Sequence, residues 1–140
     1  MFYEQHKDWI TEQEHTDIIK SVVLADKWSF GQTSDDGRYD LNFPMWTQGF
    51  FKVKDQQFTQ HTPDIIKTIT LRFVTQCPED YVLIRSMACA NTFGLDGDFH
   101  TDWPSPNKSV TGVLYTDRTW ERNWGGDTTF VGEDGLYSSE

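Results

Sequence analysis

His100-Thr101-Asp102 sets an imidazole and a carboxylate two residues apart. On a β-strand, side chains at i and i+2 leave from the same face, whereas on a helix they point to nearly opposite sides. A His-x-Asp pair on a strand can therefore grip one cation. With a second His from a distant strand it would form the 2-His-1-carboxylate arrangement that leaves open positions on a non-haem Fe(II). Tyr115, Trp120, Gly125, Gly126 and Asp127 follow within the same stretch.

The spacing alone is weak, and the chain carries its own controls. With four His and fifteen Asp in 140 residues, chance expects roughly 0.4 such matches. There are three, so local structure must separate them. Thr11-Glu12-Gln13-Glu14 reads as a capping box, and Ile18, Ile19, Val22 and Val23 follow at helical spacing. On that helix His15 and Asp17 diverge. His6 and Asp8 fall in the polar stretch before the cap, where both are expected to be solvated. Around His100, by contrast, Gly94, Gly97, Pro104 and Pro106 exclude a long helix, and 109–116 reads as a strand.

The elements expected to position these residues begin with a helix over about 12–25. A turn-rich stretch follows, marked by Gly31, Asp35-Asp36-Gly37 and Pro44. Trp28, Phe30, Phe43, Trp46, Phe50 and Phe51 surround it and read mostly as core. Thr62-Pro63-Asp64 supplies an N-cap, a proline at the first helical position and an acid near the positive dipole end. Ile65, Ile69 and Phe73 then give the second helix its apolar face. A strand is expected over 81–90, with its alternation interrupted at Met87 and Ala88. Further strands are expected at 110–116 and 128–131, with Glu133-Asp134-Gly135 turning the chain into Leu136-Tyr137. Helices first and strands afterwards predict a mainly β, α+β domain: a sheet sandwich braced by N-terminal helices.

Composition bounds the function. A chain with 36% hydrophobic and 15% aromatic residues is one domain with a real core. No apolar run approaches membrane-spanning length, and the acidic, aromatic N-terminus lacks the basic and apolar regions of a signal peptide, so a cytoplasmic location is expected. Cys77 and Cys89 match no metal spacing and read as two free, buried thiols of a reducing compartment. A formal charge of −10 argues against binding a nucleic-acid backbone. It suits neutral or cationic substrates, or serves solubility.

Arg85, Asn91, Gly94, Gly97, His100-Thr101-Asp102, Val113-Leu114-Tyr115, Trp120 and Gly125-Gly126-Asp127-Thr128-Thr129-Phe130 form an ordered series over about a third of the chain. This series resembles the 2-oxoglutarate and Fe(II)-dependent dioxygenase superfamily, in its prolyl 4-hydroxylase-like branch. The resemblance implies a double-stranded β-helix, a cupin-like jelly-roll of two packed sheets with the metal in its open mouth. It implies His100 and Asp102 as iron ligands and Tyr115 and Thr128 as contacts of the co-substrate. It makes Fe(II) the metal and 2-oxoglutarate and O2 the co-substrates. The reaction implied is hydroxylation of an unactivated C–H bond with release of succinate and CO2, and ascorbate would keep the iron reduced. The substrate would be a small molecule or a peptidyl residue such as proline. Gly125 and Gly126 would let backbone pass close to the co-substrate, against the plainer reading of a turn after Trp124.

The family pattern also asks for a second His and an Arg or Lys after the Gly-Gly-Asp segment. No His follows His100, while Arg118 and Arg122 come too early. The expectation is therefore that these residues are the N-terminal part of a longer enzyme, with the last strands of the jelly-roll missing. The alternative is a non-catalytic jelly-roll, a binding or interaction module in which His100 and Asp102 satisfy each other by a hydrogen bond.

Overall fold

The computed structural model describes residues 4–33, 44–92, 100, 102, 109–132 and 135–138. Its order is α1 (Glu12–Ile18), β1 (Ser29–Thr33), β2 (Pro44–Lys52), β3 (Gln57–Phe58), α2 (Asp64–Gln76), β4 (Arg85–Ala90), β5 (Thr129–Gly132) and β6 (Gly135–Ser138). The content is mixed α+β with antiparallel sheets, and among the described residues neither sheet closes on itself. The expected order of helices first and strands afterwards is corrected, because three strands lie between the two helices.

Both halves of the capping box form: Glu14 N donates to Thr11 Oγ1 at 3.2 Å, and Thr11 N donates to Glu14 Oε2 at 2.8 Å. The helix then loosens into a π turn over Ile19–Val23, closed by Leu24 N donating to Ile19 O at 2.9 Å. Ile18 and Val22, one turn apart, are buried. In α2 the inward face is Ile66 and Ile69, with Ile65 and Phe73 half-buried beside it. Thr62 does not cap this helix. Pro63 occupies the N-cap position, and the Thr62 hydroxyl donates to Phe50 O at 3.0 Å, fastening the helix start to β2.

β2 is the organising strand. β4 pairs along one edge from Trp46 to Lys52, so β1, at residues 44–47, and β3, at Phe51 and Lys52, share the other. Opposite β4, Phe50 is the extra residue of a bulge between Gly49 and Phe51. Successive strand residues face opposite sides. Met45 and Thr47 are accordingly buried on one face, while Gln48, on the other, reaches Val22 O at 2.9 Å. Phe50 joins Ile10, Ile18, Val22, Ile66 and Ile69 in the core, with Trp9, Trp28, Ile65 and Ala88 packed around them. Two of the expected core aromatics differ. Phe30 and Trp46 are exposed and lie against each other with ring centroids 5.0 Å apart. Phe43 and the Asp35-Asp36-Gly37 turn lie outside the described residues, as do Gly94, Gly97, Thr101, Asp134 and the side chains of Arg122 and Tyr137.

The strand expected over 110–116 is not one. Residues 109–117 join no ladder, and the contacts that hold this stretch run to the helices instead. His15 Nε2 pairs with Thr116 O at 2.7 Å, Arg118 pairs with Glu12, and Gly112 sits directly against the Phe73 ring. The last hairpin forms as expected, β5 on β6, with Thr129 opposite Ser138 and Gly132 opposite Gly135. Cys77 and Cys89 are free, but the expectation of burial is corrected: Cys89 is exposed and Cys77 half-buried. No helix among the described residues is long and apolar enough to cross a membrane.

Glu14 also receives the guanidinium of Arg72, which holds its carboxyl down at about 2 from the usual 4.5, with the Thr11 backbone bond adding to the effect. A carboxyl depressed on folding stabilises the fold fully above its unfolded value, and that stabilisation is lost as pH falls through the folded value. Glu14→Gln should thus lower the thermal midpoint at neutral pH. Its deficit relative to wild type should shrink from pH 4.5 downward and close near pH 2, which a series of melts across that range would read.

Candidate metal centre

His100 and Asp102 were expected to share a face of a strand. Neither lies in a strand, yet the side chains converge: His100 Nε2 stands 3.2 Å from Asp102 Oδ1. Around Asp102 the neighbours come from two other parts of the chain. Arg85, at the start of β4, brings its guanidinium to 3.9 Å from Oδ1. Thr111 Oγ1 donates to Oδ2 at 2.8 Å. Both members of the pair are about one-third exposed, open to a ligand arriving from solvent.

The distance fits two roles. A 3.2 Å N···O separation is at the long limit of an N–H···O hydrogen bond. It also fits adjacent ligands of one ion, since neighbouring positions on an octahedron with bonds of about 2.1 Å lie about 3 Å apart. Borderline nitrogen and hard carboxylate oxygen are a donor set that Fe(II) accepts. The pair therefore fits two of the three protein positions of the expected centre. Among the described residues no group of three or more His, Cys, Asp or Glu is placed to hold a metal. His61 is exposed in the turn before α2 and bonded to Gln60, and His15 is committed to Thr116 O.

Cys89 shares a strand face with Arg85, four residues away on β4. Desolvation of its sulfur raises the thiol above its usual value; Arg85 opposes this and the charge of Asp102 adds to it. The sequence reading of the two cysteines as free, buried thiols without metal spacing does not link Cys89 to Asp102.

Tyr115 is half exposed on the segment held against the helices, and Thr128 is half-buried immediately before β5. Their placement sets them on the two chain segments that follow the His100–Asp102 pair. Thr111 was not singled out from the sequence. A hydroxyl nine residues beyond a carboxylate carries no periodic signal, and only the folded path brings the two together. A groove of about 300 Å³ also opens between Ile19 and Val23 of the π turn and residues 116–119; its lining includes neither His100 nor Asp102.

The glycines after Trp124 have a local explanation. Gly125 and Gly126 adopt φ of 72° and 84°, where a side chain is strained. Trp120 covers this turn, its indole N–H donating to Gly125 O at 2.7 Å, and it stacks edge-on against Trp124 at 5.4 Å. A Cβ at Gly126 would stand 3.2 Å from the Trp120 ring. Comparison of the chain with protein-family models, with curated proteins and with solved structures finds no match.

If the turn accounts for these glycines, Gly126→Ala should cost about 1–2 kcal/mol of stability, the usual penalty of a left-handed backbone for an L-residue. Divalent-metal affinity at His100 and Asp102 should be unchanged. Chemical denaturation alongside a metal titration checks both, and an altered affinity with unaltered stability would contradict the turn reading.

Proposed function

We propose that the chain acts as an Fe(II)- and 2-oxoglutarate-dependent dioxygenase of the prolyl 4-hydroxylase-like kind, built on a double-stranded β-helix. It would hydroxylate an unactivated C–H bond of a small-molecule or peptidyl substrate in a reducing, cytoplasmic setting. The observation that supports this most is the approach of His100 Nε2 to Asp102 Oδ1 at the separation of adjacent metal ligands. Bound Fe(II), with 2-oxoglutarate and O2, supplies the oxidation and yields succinate and CO2, while ascorbate maintains the reduced metal.

The residues divide the remaining work. His100 would offer a ring nitrogen to the cation, and Asp102 a carboxylate oxygen. Thr111 holds the far oxygen of that carboxylate. Arg85 lends positive charge near Asp102. Tyr115 and Thr128 carry hydroxyls suited to orienting the carboxylates of the co-substrate.

One observation favours a second reading. The acid of the pair already has an imidazole, a guanidinium and a hydroxyl around it, as a binding or interaction module without a metal would require. Anaerobic addition of Fe(II) and 2-oxoglutarate separates the two. A dioxygenase should develop a visible metal-to-ligand charge-transfer band that His100→Ala and Asp102→Ala both abolish. A protein that stays colourless, and whose two variants melt as wild type does, is the binding module.

A further inference from the structure

Asp102 presents two oxygens to different surroundings. Oδ2 accepts the Thr111 hydroxyl at 2.8 Å. Oδ1 stands 3.2 Å from His100 Nε2, with Arg85 at 3.9 Å, beyond hydrogen-bond reach. One oxygen is thus engaged by a hydroxyl donor, while the other faces the imidazole. From this asymmetry, and resting on the iron-site reading above, we propose that Thr111 is a positioning residue: it holds the Asp102 carboxylate so that Oδ1, and not Oδ2, is the metal-binding oxygen beside His100. Hydrogen bonds that orient ligating carboxylates are a general part of metal-site design, and their loss weakens metal binding.

The position of Thr111 is itself imposed from elsewhere. Its neighbour Gly112 lies so close to α2 that a Cβ there would fall 2.7 Å from Phe73 Cε2. Four residues on, Thr116 O is held by His15 of α1 at 2.7 Å, and Arg118 reaches Glu12. Residues 109–118 are a strap lying across both helices, and Thr111 is the point at which the strap touches the carboxylate. Because Thr111 is exposed, water competes for its hydroxyl, so the effect should fall at the lower end of the usual range for such groups, about tenfold in affinity.

The test is a Co(II) titration of the intact chain, followed by the visible absorption of the bound ion, for wild type, Thr111→Val, Thr111→Ser and the double variant His100→Ala/Asp102→Ala. The proposal expects Thr111→Val to bind about tenfold more weakly, with a changed absorption envelope and an unchanged melting temperature in the absence of metal. Thr111→Ser, which keeps the hydroxyl, should bind as wild type does. Equal affinity in Thr111→Val and wild type, or a Thr111→Ser variant as weak as Thr111→Val, overturns the role of Thr111 while leaving the His100–Asp102 site standing. A wild type that binds Co(II) no better than the double variant overturns both together.

Discussion

One carboxylate ties the helical part of this protein together. Glu14 closes the capping box of α1 by accepting the Thr11 backbone N–H, and it also accepts the Arg72 guanidinium from the third turn of α2. Arg72 continues to Trp9 O at 3.3 Å and lies over the Trp9 ring with its carbon 5.4 Å from the centroid. Trp9 in turn donates to Gln76 at the end of α2. The approach of the two helices is set by this knot at one end. Beneath them, Ile18, Val22, Ile66 and Ile69 close over Phe50.

What rests on the helix pair differs on its two sides. Toward the core it receives β2, whose Gln48 supplies a hydrogen bond to Val22 O where the π turn begins to release the chain. Toward solvent it receives the 109–118 strap through His15, Phe73 and Glu12. The His100–Asp102 pair meets both sides, with Arg85 coming from β4 of the sheet and Thr111 from the strap. The carboxylate is therefore approached from two independent parts of the fold, which helps hold a ligand that does not itself lie on a strand or helix.

Where the sequence could be read, a local signal was sufficient. Thr11 and Glu14 announce α1, Pro63 and Asp64 the start of α2, and the Gly135 turn the final hairpin. β2 escaped for a physical reason. It is buried on both faces, at Met45 and Thr47 and again at Gln48 and Phe50, so it has no alternation of period two to detect. The bulges beside Gly31 and at Phe50 blur the pattern further. Residues 110–116 fail in the opposite way. Val110, Val113, Leu114 and Tyr115 favour a strand locally, but the stretch meets no partner strand among the described residues and these four side chains stay exposed, so propensity has no pairing or burial to act through. At the site, His100 and Asp102 converge although neither lies in the strand on which their spacing was read, and the approach of Arg85 and Thr111 is a property of the tertiary path alone.

The contact of Gly112 with Phe73 means that two distant positions share one allotment of volume. With the Phe73 ring where it stands, a methyl at 112 would fall 2.7 Å from it, so a side chain at 112 needs that ring to shift or to be smaller. Drift at either position is consequently conditional on the other. A helix residue far along the chain from His100 thereby limits which sequences can keep Thr111 within reach of Asp102.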